Sequence, residues 1–249
     1  MTVAPPAVIT GFHNEADLPL RLGLVIDTSD SIAKRLKFEQ GAAADFMQKV
    51  VTRPEDLAFV IGFANSVLLV QDFTPDHTLI AHGVEQLAPA GGTALWDSVA
   101  FAADKLANHP ETHPVARILV VVSDGEDNSS TATAKEAIRN AQRGGVTIYT
   151  ISTREMTDVP DSQVGERALK TLAELTGGAL FTPGSVRGLN GSLTDLQQVI
   201  RGRYLVTYKP ASFKRDGRYR AIAIKAEKDG KNLHIYARKG YFTSSSSPE

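Results

Sequence analysis

The sequence contains no cysteine, and only one of its 249 residues is tryptophan. The absence of cysteine excludes disulfide bonds, thiolate metal sites and a cysteine nucleophile. No apolar run approaches the roughly 20 residues needed to cross a bilayer, so we expect no membrane span. We also expect no signal peptide in this chain, because Met1 is followed by small and Pro-containing residues rather than by a basic and then an apolar region.

The sequence also lacks a net charge large enough to attract a polyanion. The formal charge is −1, which provides no global argument for a nucleic-acid partner. The charge is unevenly distributed, however. Residues 201–240 contain 12 Lys and Arg against 3 Asp and Glu, whereas residues 1–200 contain 15 against 24. Such a basic region indicates an acidic partner, a membrane surface or an internal docking face, and its simplest interpretation is the solvated face of edge strands, where lysine also opposes aggregation.

Hydrophobic patterning predicts an α/β fold for most of the chain. The runs at 20–26 and 118–122 are continuously apolar, whereas a strand of a sheet with one solvent-exposed face would alternate polar and apolar residues. Such continuous runs are typical of central parallel strands that are covered on both faces. The runs at 57–63 and 67–73 are separated by only three residues and predict a hairpin, so one strand should be antiparallel. Strand-like and helix-like segments alternate from 20 to 203. We therefore predict a doubly wound, mainly parallel central sheet with one antiparallel edge strand and helices on both faces.

Two smaller regions flank this predicted domain. Residues 1–19 form an N-terminal extension with a possible edge strand. Residues 204–243 predict a small C-terminal antiparallel β appendage, with strand-like runs at 204–208, 219–226 and 233–237. Because a lone ribbon is marginally stable, the appendage should dock on the edge of the main sheet, together with the N-terminal strand. Residues 244–249 are expected to be a disordered tail.

Oxygen-bearing side chains follow the predicted central strands. Asp27, Ser29 and Ser31 alternate after the first strand, which sends their side chains to one side of an extended backbone. Asp124 follows the strand at 118–122, and Thr93 lies in a Gly-Gly-Thr loop. Since loops at the carboxyl ends of parallel strands meet, these five residues should converge. Their carboxylates and hydroxyls suit Mg²⁺, or Mn²⁺ or Ca²⁺, rather than Zn²⁺. Alternatively, Asp27 caps the next helix and the serines are solvated.

The joint pattern of Asp27-x-Ser29-x-Ser31, Thr93 and Asp124 resembles the metal-ion-dependent adhesion site of von Willebrand factor type A domains over roughly residues 20–203. The resemblance implies that the residues matching the serines and the threonine contact the cation directly or through water, and that the two aspartates support it directly or through water. All five positions of the pattern are filled.

Two positions depart from this pattern, and the C-terminal region carries a second resemblance. Asp30 stands where glycine is frequent in the family, and Ile32 stands where methionine is common. Asp30 therefore adds a negative charge near the expected ion. Residues 204–242 are similar to the tail of bacterial, acidobacterial-type members, mostly exported proteins. This similarity implies that the natural protein is exported, to the periplasm or the extracellular space.

These features predict a binding module rather than an enzyme, with a cation that captures an Asp or Glu of a protein partner. One alternative is a Mg²⁺-dependent hydrolase or phosphoryl transferase. It is disfavoured because the sequence has no G-x-S-x-G, no P-loop and no histidine near the three loops. Another alternative is a structural domain with an idle site. Near the site, Glu126 and Asp127 are interpreted as solvated loop acids, with tuning of the cation's surroundings as the alternative. Trp96 is interpreted as a packing anchor rather than a platform for a ligand. The oligomeric state is left open.

Overall fold

The structure, a computed structural model, describes residues 6–14, 18–154, 163–185, 188–210, 214–233 and 235–243. The predicted tail at 244–249 lies outside these residues. The strands and helices are, in chain order, β1 (Val8–Asn14), β2 (Leu20–Asp27), α1 (Leu36–Val50), β3 (Leu57–Phe63), β4 (Val67–Thr74), α2 (His77–Glu85), α3 (Leu95–Asn108), β5 (Ala116–Ser123), α4 (Ala134–Gly144), β6 (Thr147–Ser152), α5 (Gln163–Thr176), β7 (Leu180–Phe181), α6 (Leu189–Arg201), β8 (Tyr204–Lys209), β9 (Tyr219–Ala221), β10 (Glu227–Lys228), β11 (Lys231–Asn232) and β12 (Gly240–Phe242).

The predicted central sheet is confirmed. It has six strands in the order β4-β3-β2-β5-β6-β7, and all neighbouring pairs are parallel except β3 with β4. Apolar residues of α1, α2 and α6 pack on one face, and those of α3, α4 and α5 pack on the other. All eight residues of β2 are buried, because this strand lies inside the sheet and is covered on both faces. This double coverage explains its continuous apolar run.

The parallel strands define two ends of the domain. We call the end where they begin the amino edge and the end where they stop the carboxyl edge. The last helix is anchored at the amino edge, where Arg201 of α6 pairs with the buried Asp56 at 2.6 Å. The Asp56 carboxylate also accepts a hydrogen bond of 2.8 Å from the Leu20 N–H at the start of β2. Burial favours the protonated form, but these hydrogen bonds hold the pKa of Asp56 below its usual value.

The flanking regions form three separate two-stranded antiparallel sheets, which pair β1 with β8, β9 with β12 and β10 with β11. An antiparallel appendage was predicted correctly, but its strands do not extend the six-stranded sheet. The predicted strand at 233–237 is wrong, since residues 235–239 form no strand and β12 pairs with β9 instead. The alternating apolar residues at 233–237 instead belong to the segment of chain that connects β9 to β12. Gly240 allows the β12 backbone to approach the Tyr219 side chain more closely than a Cβ would permit.

The appendage contacts a helix of the domain rather than an edge strand. The guanidinium of Arg143, in α4, lies 5.5 Å from the centre of the Phe242 ring in β12. A hydrogen bond between the side chains of Tyr208 and Tyr241 connects β8 to β12. In the part of the chain that the structure describes, no helix has the length and apolarity required to cross a membrane.

Candidate functional site at the carboxyl edge

Asp27 lies at the last position of β2 and is fully buried. Its Oδ1 accepts a hydrogen bond from the Ser29 N–H at 2.9 Å, and its Oδ2 accepts one from the Ser123 hydroxyl at 2.8 Å. Burial raises the pKa of the Asp27 carboxyl, and the negative charge of Asp124 raises it further, although the hydrogen bonds oppose this effect. Asp27 does not cap a helix, because the short 3-10 helix at Asp30–Ile32 has Ser29 as its N-cap and α1 begins only at Leu36. The carboxylate instead closes a tight turn at the end of the strand.

The hydroxyls of Ser29 and Ser31 connect this turn to the loop after β5. The two Oγ atoms are 3.0 Å apart, and the Ser31 hydroxyl donates to Asp124 Oδ2 at 3.2 Å. The other carboxylate oxygen of Asp124 accepts the Glu126 N–H at 3.0 Å. Ser29 is buried, whereas Ser31 is exposed. Four of the five predicted residues therefore lie in one continuous cluster that opens to solvent on the Ser31 side.

Thr93, the fifth predicted residue, is buried and held by its backbone. Its N–H donates to Asn128 Oδ1 at 2.8 Å, and its carbonyl accepts the N–H groups of Asn128 and Ser129 at 3.0 and 3.1 Å. The preceding Gly92 leaves room for this contact, since a Cβ there would lie 2.7 Å from Asn128 Oδ1. The Ala90 N–H donates to the Thr28 carbonyl at 2.8 Å. These bonds place the Thr93 loop directly beside the loop that follows β2.

Asp30 has a structural role that the sequence did not indicate. Its N–H donates to the Gly91 carbonyl at 3.0 Å, and its Oδ1 accepts the Gly91 N–H at 3.1 Å. Gly91 has a φ of +63°, where a residue with a Cβ is disfavoured. Asp30 is exposed. Its carboxylate thus joins the first two loops of the site in addition to contributing charge.

Glu126 and Asp127, the two acids that follow Asp124, differ in their exposure and hydrogen bonds. Glu126 is exposed, as expected for a solvated loop acid. The same interpretation is wrong for Asp127, because its carboxylate accepts hydrogen bonds from the Ser130 hydroxyl at 2.5 Å and from the Trp96 N–H at 3.4 Å. Asp127 thereby holds the third loop against the N-terminus of α3. The Trp96 side chain is partly buried against the core, which confirms its prediction as a packing anchor.

A buried acid that sequence reasoning missed lies beneath the site. Glu39 is 3% exposed, and its Oε2 makes no hydrogen bond among the described residues. It lines a cavity of about 10 Å³, room for no more than one water molecule, with Thr153 and Leu189. Burial raises its pKa to about 7; the charges of Asp27 and Asp124 add to this rise, and Arg35 opposes it. The sequence feature that could have revealed this buried acid is its position on the apolar face of α1, three residues after Leu36.

The electrostatics of the site are those of an uncompensated negative cluster. Neither Asp27 nor Asp124 has an ion pair with a Lys or Arg among the described residues. In the same part of the chain, no three His, Cys, Asp or Glu side chains form a group that could hold a metal ion. The oxygen atoms gathered here are therefore two carboxylates assisted by neutral hydroxyls. Such a set can stabilise a hard cation that keeps part of its water shell.

Comparisons with known proteins agree with this architecture. Residues 22–195 match the family model described as von Willebrand factor type A domain. A UPF0353 protein of Nocardia farcinica is 24% identical over 209 residues, which cover 74% of this chain and 62% of that protein. The chain thus spans less than two thirds of this relative.

Solved structures with low sequence identity share the fold. The von Willebrand factor domain of the type V pili tip protein Mfa5 from Porphyromonas gingivalis aligns with a TM-score of 0.60 at 16% identity, covering 74% of this chain and 95% of that one. The D319A mutant of the PilB minor pilin from Streptococcus sanguinis aligns with a TM-score of 0.59 at 13% identity, covering 76% and 62%. The family match covers the six-stranded sheet except for the first two residues of β2. The chain therefore belongs to the von Willebrand factor type A domain family.

Proposed function

We propose that this protein is a divalent-cation-dependent binding module that captures an acidic group of a partner protein at the carboxyl edge of its sheet. The observation that carries the proposal is the hydrogen-bonded cluster of Asp27, Ser29, Ser31 and Asp124, two carboxylates without a cationic partner among the described residues. A bound cation would compensate this charge. Thr93, in the adjoining loop, would provide a further hydroxyl.

The spacing of the oxygen atoms fits a small octahedral cation. Around a Mg²⁺ ion with metal–oxygen distances of about 2.1 Å, adjacent ligand oxygens are roughly 3.0 Å apart. The separations of 3.0 Å between Ser29 and Ser31 and of 3.2 Å between Ser31 and Asp124 are close to this value. The three loops contain no histidine or cysteine, which favours Mg²⁺, or Mn²⁺ or Ca²⁺, over Zn²⁺.

The protein's own groups would prepare the site for a ligand. Ser123 and the Ser29 N–H orient the Asp27 carboxylate, while Asp30 and Asn128 hold the other loops in register. The cation, when bound, would supply a positive centre to which a carboxylate of the partner can bind. Ser31 is exposed, so a large ligand can approach from this side.

The structural neighbours support an adhesive role outside the cell. Two of them are named as a type V pili tip protein and a minor pilin. We infer by analogy that this chain acts as an exported interaction module. Catalysis is not part of the proposal, because the loops around the cluster contain no histidine or cysteine that could act as a base or nucleophile.

The proposal can be tested with an array of Asp- and Glu-containing peptides and matched Asn and Gln sequences. The chelator-treated protein is applied in either Mg²⁺ or EDTA. We expect binding to acidic peptides in Mg²⁺, and loss of binding in EDTA and in the Ser31→Ala variant. This variant should fold normally because Ser31 is exposed. Asp45→Ala, an exposed acid of α1, is the matched control and should bind like the wild type.

Two outcomes would count against the proposal. Equal binding of the acidic peptides in Mg²⁺ and in EDTA would show that partner capture does not depend on the cation. Mg²⁺-dependent turnover of generic phosphoesters, lost in the Ser31→Ala variant, would favour the hydrolase alternative instead.

A further inference from the structure

The chain between β9 and β12 forms a hairpin that the proposed function does not use. Its base is closed by a 2.8 Å hydrogen bond from the Ile222 N–H to the Lys239 carbonyl. Its tip is formed by β10 and β11, which are joined by Asp229 and Gly230. These two residues have φ values of +53° and +72°, as in the two-residue turns that favour Asp-Gly. We refer to residues 222–239, of which the structure describes all but 234, as the lysine hairpin.

One face of the lysine hairpin combines positive charge with aliphatic side chains. Lys228 and Lys231 are cross-strand partners, so their side chains lie on the same face. The Leu233 N–H donates to the Ala226 carbonyl at 2.8 Å, which continues the pairing by one step. Because side chains alternate along a strand, Leu233 shares the face of the two lysines, and Glu227 lies on the opposite face. Leu233 is 49% exposed.

The pairing of two lysines has no benefit for folding. Like charges directly opposite each other destabilise an antiparallel pair. Ile224 and Lys225, which precede β10 and lie outside the strands, are both exposed, with Ile224 at 44%. Glu227, on the opposite face, and Asp229, in the turn, are the acidic residues nearest in sequence to the two lysines. An anionic partner would compensate the lysine pair, and an apolar environment would accommodate the aliphatic side chains.

The hairpin is attached at the end of the domain opposite the candidate cation site. A Cβ on Gly177, which precedes β7 at the amino edge, would lie 2.5 Å from the backbone nitrogen of Arg238. The base of the hairpin therefore packs on this edge. Strands of six to eight residues rise about 20 Å or more. Consequently, a ligand at the carboxyl edge and a surface at the lysine hairpin can be bound at the same time.

We propose that the lysine hairpin docks on the surface of an anionic lipid bilayer, with Lys228 and Lys231 at the headgroups and the exposed Ile224 and Leu233 in the interface. Clustered lysines are attracted by anionic headgroups, and exposed aliphatic side chains gain by entering the interfacial region. The backbone of a nucleic acid offers no comparable apolar environment. Strands of two residues also provide too short an edge for strand addition by a protein partner.

The test is co-sedimentation of the full chain with vesicles of phosphatidylcholine, alone or with 30% phosphatidylglycerol. We expect binding only to the anionic vesicles, weakening as salt is raised. One lysine near such a surface contributes about fivefold in affinity, so removing two charges in Lys228→Gln/Lys231→Gln should weaken binding by about 25-fold. Charge reversal to Glu should weaken it further. Leu233→Ser should weaken binding several-fold while its salt dependence remains.

The matched control is Lys37→Glu/Lys49→Glu, which reverses two exposed charges on α1. The control should bind vesicles like the wild type, and circular dichroism should show that all variants are folded. The proposal is overturned if the wild type does not discriminate between the two vesicle types, or if the control variant loses as much binding as the hairpin variant. Tighter binding to a DNA oligonucleotide, or self-association at lower concentration than lipid binding, would also overturn it.

Discussion

The buried Glu39 should make the stability of the protein depend on pH in a way that one substitution removes. Below pH of about 4.5 this carboxyl is protonated in both the folded and the unfolded chain. In the folded chain its pKa is about 7, because burial disfavours the charged form and the charges of Asp27 and Asp124 add to this effect. As pH rises from about 4.5 to about 7, the unfolded chain ionises this carboxyl freely whereas the folded chain holds it protonated, so the free energy of unfolding falls.

The size of the effect follows from the difference between the two pKa values. The rise from 4.5 to about 7 corresponds to about 3 kcal/mol of unfolding free energy, lost between these pH values. In Glu39→Gln the loss should disappear, since the amide does not ionise. The new NH₂ group replaces an oxygen that makes no hydrogen bond among the described residues, and an unsatisfied donor costs about 1 to 3 kcal/mol at every pH. The informative quantity is therefore the change between two pH values rather than the stability at either one.

The assay is urea denaturation followed by circular dichroism at pH 5 and pH 8, in EDTA, for the wild type, Glu39→Gln and Glu39→Met. Relative to the wild type, the free energy of unfolding of both variants should be about 3 kcal/mol higher at pH 8 than at pH 5. Glu126→Gln, an exposed acid at the same edge, is the control and should follow the wild type. If the wild type and the Glu39 variants respond equally to pH, the buried carboxyl does not titrate as argued.

Substitutions at three further positions test the arrangement of the domain. Ser123→Ala removes the 2.8 Å hydrogen bond to Asp27 Oδ2, and should weaken Mg²⁺ affinity by about 10- to 100-fold in calorimetry without unfolding the protein. Asp30→Ala removes the acceptor for the Gly91 N–H and should lower the unfolding free energy by about 1 kcal/mol, whereas Asp30→Asn keeps an acceptor and should lose less. Asp56→Ala strips four hydrogen bonds from a buried position and should destabilise by about 3 to 5 kcal/mol, measured as a lower melting temperature.

Matched exposed positions serve as controls for these three experiments. Ser66→Ala and Glu55→Ala should behave like the wild type in both calorimetry and thermal unfolding. Unchanged Mg²⁺ affinity in Ser123→Ala would contradict the orienting role of that hydroxyl. An Asp30→Asn variant as unstable as Asp30→Ala would mean that charge, rather than the hydrogen bond, joins the loops. Wild-type melting of Asp56→Ala would contradict the anchoring of α6.

The sequence was sufficient to predict the main sheet because its signals are local. The apolar runs of β2 and β5 are continuous, since both strands are covered on two faces, and the short link between β3 and β4 allows only a hairpin. The convergence of Asp27, Ser29 and Ser31 with Asp124 was predictable for the same reason. The strand ends bring Asp27 and Asp124 to the same edge. The extended backbone expected through Ser31 is not formed, because Asp30–Ile32 is a short 3-10 helix, but this turn still leaves the Ser31 hydroxyl 3.0 Å from that of Ser29.

The remaining features depend on partners that are distant in the chain. Asp30 joins Gly91, and Asn128 holds Thr93, through pairings that no local pattern encodes. Glu39 differs from an ordinary surface acid only because the site and the loop before α6 enclose it. The strands of the appendage were misassigned because alternation reveals which segments can pair, but not with which partner they pair.

The central claim, a cation held by the carboxyl-edge cluster, is tested most directly by calorimetric titration of Mg²⁺ into the chelator-treated wild type and its Thr93→Val variant. Valine keeps the shape of this buried side chain and removes only the hydroxyl. We expect a saturable heat for one Mg²⁺ per chain in the wild type and a strongly weakened or absent heat in the variant. A wild type that gives no heat with Mg²⁺, Mn²⁺ or Ca²⁺, or a variant that binds as tightly as the wild type, would contradict it.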